Sequence, residues 1–306
     1  MKVFVSGLLN IETTVKIKKF PVEYYPIDYP FFGINSNVSG VGYNISKALC
    51  SLGDKVELTS FTGNDDEAER IINKFKRDNI AFENIRKVLK STPCSAVLYD
   101  ESGKRQIYCD LKDIQEQNIE PNKNITELIN SCDIAALCNI NFNRKLIKSK
   151  DINSPIATDV HVLGDIEDEY NRDFMENSDI LFLSDENLPC GAVEFIKKIE
   201  DKYKNKIIVI GMGEKGALLL DSENQKIYRL SVQRNDNVVN TVGAGDALFS
   251  AFIHFYAKGE SPLEALKKSE IFASKKVSFN GASLGFSSEK EIEEKYKSNN
   301  ISVEEL

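Results

Sequence analysis

Asp246 is the residue whose setting speaks most directly of chemistry. It stands in the run Asn240-Thr241-Val242-Gly243-Ala244-Gly245-Asp246-Ala247-Leu248-Phe249. The small residues Gly243, Ala244 and Gly245 leave three successive backbone amides unobstructed at the start of a helical pattern. Amides at the positive end of a helix dipole make an anion hole. A carboxylate in the first turn, beside that hole, is placed to take a proton from an attacking hydroxyl. A glycine-rich helix start whose aspartate complements the dipole is the plainer reading, and the residues alone leave both open.

Two further glycine turns carry less specific signals. Gly211-Met212-Gly213-Glu214-Lys215-Gly216 has the form G-x-G-x-x-G and follows the apolar run Ile207–Ile210. A dinucleotide fingerprint requires a helix next. Here Ala217-Leu218-Leu219-Leu220 reads as another strand, which argues against a dinucleotide-dependent oxidoreductase. Ser39-Gly40-Val41-Gly42-Tyr43-Asn44-Ile45 leads into a stripe of Ile45, Ala48, Leu49 and Leu52 at helical spacing. No P-loop, no G-x-S-x-G elbow and no H-E-x-x-H occurs.

The chain has 2 histidines and 6 cysteines, with no C-x-x-C, so a zinc site is not expected. The cysteines are expected to be free thiols of a reducing compartment. His254 lies in a helical pattern and reads as a packing residue. His161, after Asp159 in a strand-end loop, suits a structural role as well as contact with a substrate.

The elements that must position these groups alternate. Strand-like apolar runs fall at Val3–Leu9, Val56–Phe61, Ile134–Cys138, Ile156–Asp159, Ile180–Leu183, Ile207–Ile210 and Ala217–Leu220. Helical stripes lie between several of them. Asn64-Asp65-Asp66 caps one, and Ser261-Pro262 opens another. Alternation of this kind predicts an α/β fold with a largely parallel sheet and helices on both faces. Two segments break it. Residues 12–37 are rich in Pro and Tyr without a helical period, and Cys94–Cys109 reads as a hairpin turning at Asp100–Lys104. An antiparallel flap projecting from the main sheet accounts for both. The tail from Ser288 reads as a charged surface helix.

The 306 residues hold 42% apolar and 28% charged side chains, ordinary for a globular chain and unlike a disordered one. The net charge of −8 disfavours nucleic-acid partners. No apolar run reaches membrane-spanning length, and the N-terminus enters a strand without a charged-then-apolar leader, so a cytoplasmic protein is expected.

Thr241-Val242-Gly243-Ala244-Gly245-Asp246 resembles the C-terminal signature of the ribokinase-like (PfkB-type) sugar and nucleoside kinases, usually Asp-Thr-x-Gly-Ala-Gly-Asp; Asn240 stands where Asp is common. The turn Ser39–Ile45 is similar to the family's second signature. Motif order, length and the two flap segments match along essentially the whole chain.

The resemblance implies a three-layer ribokinase-like sandwich, mostly parallel with helices on both faces, as a single domain over 1–306. A small β lid would be formed by about 12–37 and 94–110. It implies ATP-dependent phosphorylation of a primary alcohol, with Asp246 as base and the Gly243, Ala244 and Gly245 amides as anion hole. Asn10, Glu12, Gly40, Gly42, Asn44 and Asn139 would bind the acceptor, Glu12 being one methylene longer than the family's Asp. Ser184, Glu186, Gly211, Gly213, Gly216 and Asn280 would lie on the nucleotide side.

The family's Asn-x-x-Glu element is altered here to Ser184-Asp185-Glu186-Asn187. Magnesium would then ride on the nucleotide phosphates with water ligands, with Glu186 as a shifted carboxylate. The resemblance also allows a monovalent cation and a homodimer through the lid. The Gly-Val-Gly-x-Asn-Ile motif and Cys138-Asn139 are most similar to pseudouridine kinases, which tilts the acceptor toward a nucleoside over a free sugar such as ribose or fructose. A non-catalytic binding protein on the same fold is the rival of another class.

Overall fold

The computed structural model describes residues 1–232, 237–239, 241–279, 281–299 and 301–306. In chain order its strands are β1 (Lys2–Ser6), β2 (Asn10–Lys16), β3 (Ile34–Ser39), β4 (Lys55–Thr62), β5 (Asn84–Lys87), β6 (Cys94–Tyr99), β7 (Arg105–Asp110), β8 (Ile134–Leu137), β9 (Ile156–Val162), β10 (Ile180–Ser184), β11 (Ile207–Gly211), β12 (Ala217–Asp221), β13 (Lys226–Leu230) and β14 (Val303–Glu305). The α-helices are α1 (Val41–Ser51), α2 (Asp66–Asp78), α3 (Lys123–Asn130), α4 (Arg144–Ile147), α5 (Arg172–Asn177), α6 (Ala192–Tyr203), α7 (Ala244–Ala257), α8 (Pro262–Lys276) and α9 (Glu289–Ser298).

The larger sheet has the order β14-β13-β12-β11-β10-β9-β8-β1-β4-β5. From β11 to β5 every pairing is parallel, and β12, β13 and β14 add an antiparallel edge. Strand residues alternate between two cores. Val3, Val5, Ile207 and Val209 face α1, α2, α7, α8 and α9, whereas Phe4, Ile208 and Ile210 face α3 to α6. A strand buried on both faces is mostly apolar, which is why β1 and β11 stand out as apolar runs. The result is the expected three-layer α/β sandwich.

The helices form where the sequence supplies their ends. Asp65 accepts from the Ala68 amide at 2.9 Å to cap α2, and Ser261 accepts from Glu264 ahead of Pro262 to cap α8. α7 is buried nearly all round, from Ala247 to Phe255, and its Phe249 and Phe252 rings pack edge-on against Phe182 of β10. Truncating Phe252 to Ala would cost about 3–5 kcal/mol. His254 is indeed a packing residue, its Nδ1 2.7 Å from Asp54 Oδ2 in the core. All 6 cysteines are free thiols.

β2, β3, β6 and β7 form a separate sheet of order β3-β2-β6-β7. It corresponds to the expected flap with one correction. β2–β3 and β6–β7 are antiparallel, but β2 and β6 run parallel, joining the two hairpins into one lid. The first strand is also shorter than expected. It stops at Ser6, because Gly7 is pressed against Gly42 and the Cys138 thiol, and the chain restarts as β2 at Asn10. Among the described residues no helix is long and apolar enough to cross a membrane.

Candidate active site

The sheet order reverses direction of travel at β1. The chain moves outward through β4 and β5, then returns to β8 on the other side and continues to β11. In open α/β sheets the crevice beyond the carboxyl ends at such a switch point is where ligands bind. Asn10 and Glu12 (after β1), Asn139 (after β8), Asp159 and His161 (β9), Ser184 (β10) and Gly211 (β11) all stand at that end, and the amino terminus of α7 points into it.

Glycine makes the crossing possible. Gly40 has φ 98°, and a Cβ there would lie 2.4 Å from the Leu8 carbonyl oxygen. A Cβ on Gly42 would lie 2.8 Å from the Gly7 backbone, and the Gly42 amide donates to Leu8 O at 2.9 Å. These glycines thus face backbone and bring α1 close enough for Asn44 to reach the centre of the site. Asn44 Nδ2 donates to Asp246 Oδ2 at 2.8 Å, while its Oδ1 is buried without a partner among the described residues. Burial raises the Asp246 pKa above the usual carboxylate range; the nearby His161 and the Asn44 hydrogen bond oppose the rise.

Glycine also sets the start of α7. Gly243, with φ 79°, is the N-cap and packs on Ala282, whose carbonyl oxygen lies 2.4 Å from where a Cβ would be. The Ala244 amide already donates to Thr241 O at 3.1 Å. Of the four amides from Gly243 to Asp246, those of Gly243, Gly245 and Asp246 donate to no backbone carbonyl among the described residues. A Cβ on Gly245 would meet nothing within 4 Å among the described residues, so no described side chain crowds this turn of the helix. A helix start with unengaged amides and no obstructing side chain suits an anion.

On the lid, Asn10 Nδ2 donates to Ser95 Oγ at 3.0 Å, and its buried Oδ1 has no partner among the described residues. Glu12 lies in register with Asn37 and Ser95, its Oε2 accepting from Ser39 Oγ at 3.4 Å. Burial raises its pKa, and Asp246, Lys276 and Arg105 all lie within its electrostatic reach. Asn139 is committed to structure, with Nδ2 donating to Asn171 Oδ1 at 3.0 Å and toward Val160 O at 3.4 Å.

The nucleotide-side residues are less closely gathered. β11 and β12 form an antiparallel pair, so Gly211–Gly216 is a hairpin turn and the dinucleotide reading falls. Gly216, with φ 90°, has the Leu230 carbonyl oxygen 1.9 Å from a Cβ position and is required by packing. Gly213 (φ 56°) has open space beside it among the described residues, whereas a Cβ on Gly211 would be in ordinary contact with Leu183 O and Leu248 at 3.9 Å. Ser184 Oγ accepts from the amide of the exposed Glu186 at 3.2 Å, and Asp185 pairs with Lys215. No group of three metal-ligating side chains occurs among the described residues. Lone carboxylates fit a divalent ion held chiefly by phosphates and water, not one caged by protein. Asn280 and Asn240 lie outside the described residues.

Arg105 and Lys276 escaped the sequence reading. His161, left open there, has φ 60°; Asp159 Oδ1 accepts its amide at 2.8 Å, and Oδ2 lies 3.3 Å from its Nδ1. Burial would lower the imidazole pKa, but Asp159 and Asp246 together raise it to about 9. Arg105 of the lid donates from Nη1 to Thr241 Oγ1 at 3.0 Å, tying the lid to the loop before α7. Lys276, the last residue of α8, is fully buried beneath that loop. A cation that the fold brings to a glycine turn from a distant helix or strand leaves no spacing signal in the chain.

The family model for the pfkB family carbohydrate kinases matches residues 2–161 and 166–289. A ribokinase from Dictyostelium discoideum is 24% identical over 324 residues, covering 94% of this chain and 98% of the relative. Among solved structures, a microbiome-derived acarbose kinase superposes with a TM-score of 0.84 at 19% identity, over 97% of this chain and 98% of that one. The Arabidopsis thaliana ribokinase complexed with ribose and ATP superposes with a TM-score of 0.80 at 20% identity, over 96% of this chain and 98% of that one.

Proposed function

Since the chain belongs to the pfkB family of carbohydrate kinases, we propose that it moves the terminal phosphoryl group of ATP to a primary hydroxyl of a sugar or nucleoside, with Asp246 as the base. The observation that carries this reading is the placement of Asp246. Its carboxylate is held by Asn44 at the mouth of α7, beside the Gly245 and Asp246 amides, which donate to no backbone carbonyl among the described residues. Base and anion hole thus occupy one helix turn.

In the reaction the acceptor hydroxyl gives its proton to Asp246, and its oxygen forms the new bond to phosphorus as the bond to the ADP oxygen breaks. The raised Asp246 pKa makes the carboxylate a better base than an exposed one. The helix-start amides stay in place as charge spreads over the phosphoryl oxygens, which is where preorganised donors contribute most. A magnesium ion bound with the nucleotide, with Glu186 as the carboxylate on that side, would offset the same charge. The nucleotide lies toward Ser184 and the Gly211–Gly216 turn.

Asn10 Oδ1 and Asn44 Oδ1, both buried and without partners among the described residues, accept acceptor hydroxyls together with Glu12. The whole chain acts as one kinase domain, its lid (12–37 and 94–110) closing over the acceptor to exclude water. The Gly-Val-Gly-x-Asn-Ile turn favours a nucleoside such as pseudouridine over a free hexose. The exposed lid aromatics Tyr24, Phe31 and Phe32 support a homodimer through the lid.

A panel of nucleosides and sugars, each supplied with ATP and magnesium and followed by ADP release, tests the reading. Acceptor-dependent ADP release from at least one nucleoside or sugar is expected. Nucleotide binding with no turnover on any of them would favour a binding protein on a kinase fold.

A further inference from the structure

Lys276 has no exposed surface, and it makes no ion pair among the described residues. Its Nζ donates instead to the carbonyl oxygen of Val242. Val242 directly precedes Gly243, the N-cap of α7, so this bond holds the turn that aims the Gly245 and Asp246 amides. The ammonium also lies within electrostatic reach of Asp246 and Glu12. A buried charge with no carboxylate in contact is unfavourable in the resting protein. Burial lowers the Lys276 pKa to about 8, with Asp246 and Glu12 opposing the shift. The arrangement becomes favourable when an anion arrives at the helix start.

We propose, building on the kinase reading above, that Lys276 is the built-in cation of the anion hole: it fixes the turn through the Val242 carbonyl and supplies from within the chain the positive charge that a dissolved monovalent cation would otherwise bring. Lys276 is a positioning residue, acting on the phosphate through the turn it holds. The monovalent cation that the family resemblance allows does not fit at this carbonyl, because an ammonium already takes it. Lys275, one residue earlier, shows the contrast, since it reaches outward to Glu291 at 2.9 Å.

The first test uses the wild-type protein. Turnover, and the affinity for a non-hydrolysable ATP analogue measured by calorimetry, are compared in choline chloride and potassium chloride at equal ionic strength. Both should agree within about twofold. Activation or tighter nucleotide binding in potassium by roughly fivefold or more would overturn the proposal.

The second test removes the charge at similar size. Lys276→Met should lower kcat by about 100-fold while leaving the acceptor KM within about threefold. Lys276→Ala should regain part of its nucleotide affinity and turnover when methylammonium or potassium is added, a rescue that a purely structural lysine would not show. Normal turnover by Lys276→Met, or no rescue of a folded Lys276→Ala, would overturn the proposal. If neither variant folds, the wild-type comparison still decides. The calorimetric arm needs no acceptor. Absence of nucleotide binding in every salt would therefore overturn the kinase reading itself, whereas cation-dependent binding would overturn the role of Lys276 alone.

Discussion

Asn44 of α1 and Asp246 of α7 lie 202 residues apart in the chain and meet at 2.8 Å, amide Nδ2 to carboxylate Oδ2. The bond favours the ionised carboxylate and works against burial, which raises the Asp246 pKa. Removing it leaves the raising cause unopposed by Asn44. Asn44→Leu should therefore move the acid limb of the kcat–pH profile upward by about one unit, as expected for loss of a charged hydrogen bond. An acid limb that stays where it was would mean that Asp246 is not the group titrating in turnover.

Asp246→Asn keeps the size of the side chain and its capacity to pair with Asn44 but cannot take a proton. Loss of a general base should lower kcat by about 100-fold or more, with nucleotide affinity nearly unchanged. Single-turnover phosphate transfer at wild-type rate in this variant would remove Asp246 from the chemistry.

Legibility in the sequence followed burial. The seven runs read as strands all proved to be strands, because strands covered on both faces are mostly apolar, and their few buried polar side chains bond to neighbouring backbone, as Ser60 does to Gly7 O and Thr158 to Leu137 O. β2 and β3 escaped because Asn10, Glu12, Asn35 and Asn37 alternate with residues on the other lid face, and such polar strands look like loop. Asp246 and its glycines were legible because they are contiguous. The Asn44–Asp246 bond was not, since it exists only once α1 and α7 pack together. Lys276 was hidden by Lys275. The pair reads as a solvated helix end, and only the path of the following loop decides which of the two turns inward.

Glu12 is half-buried at the base of the lid, and burial raises its pKa. Charged acceptors of hydroxyl hydrogen bonds contribute roughly 1.5–3 kcal/mol each. Glu12→Ala should raise the acceptor KM by about tenfold or more and leave the ATP KM nearly alone. Equal acceptor affinity in calorimetric titrations of wild type and variant would mark Glu12 as lid surface. Loss of ATP affinity instead would show the two substrates to be placed the other way round.

Glu270 offers a stability test away from the reaction. It is 5% exposed on α8, and burial pushes its carboxyl up to about 8. Between the unfolded value near 4.5 and that raised value, the folded protein binds the extra proton, so this group's contribution is full at low pH and is lost as pH rises. Glu270→Gln mimics the protonated form. At pH near 8 it should be more stable than wild type by roughly 2–4 kcal/mol, with the difference vanishing toward pH 4. Urea unfolding at several pH values reads this directly, and a difference independent of pH would mean that Glu270 is ionised in the fold.

Gly243 and Gly245 look alike in sequence but stand in opposite surroundings. At Gly243 the backbone is left-handed and a Cβ would strike Ala282, whereas at Gly245 a Cβ meets no atom of the described residues within 4 Å. Gly243→Ala should therefore cost stability, about 1–3 kcal/mol from strain and the clash, and lower activity through the displaced turn. Gly245→Val fills only the space in front of the helix-start amides. β-Branching in the first turn costs no more than about 1 kcal/mol, so the protein should remain folded. Yet ATP affinity or turnover should fall by about tenfold or more, because the side chain occupies the place of the phosphate. Thermal unfolding paired with nucleotide calorimetry on both variants separates the two effects. A Gly245→Val protein that binds and turns over ATP normally would mean that the phosphate is held elsewhere than at the start of α7.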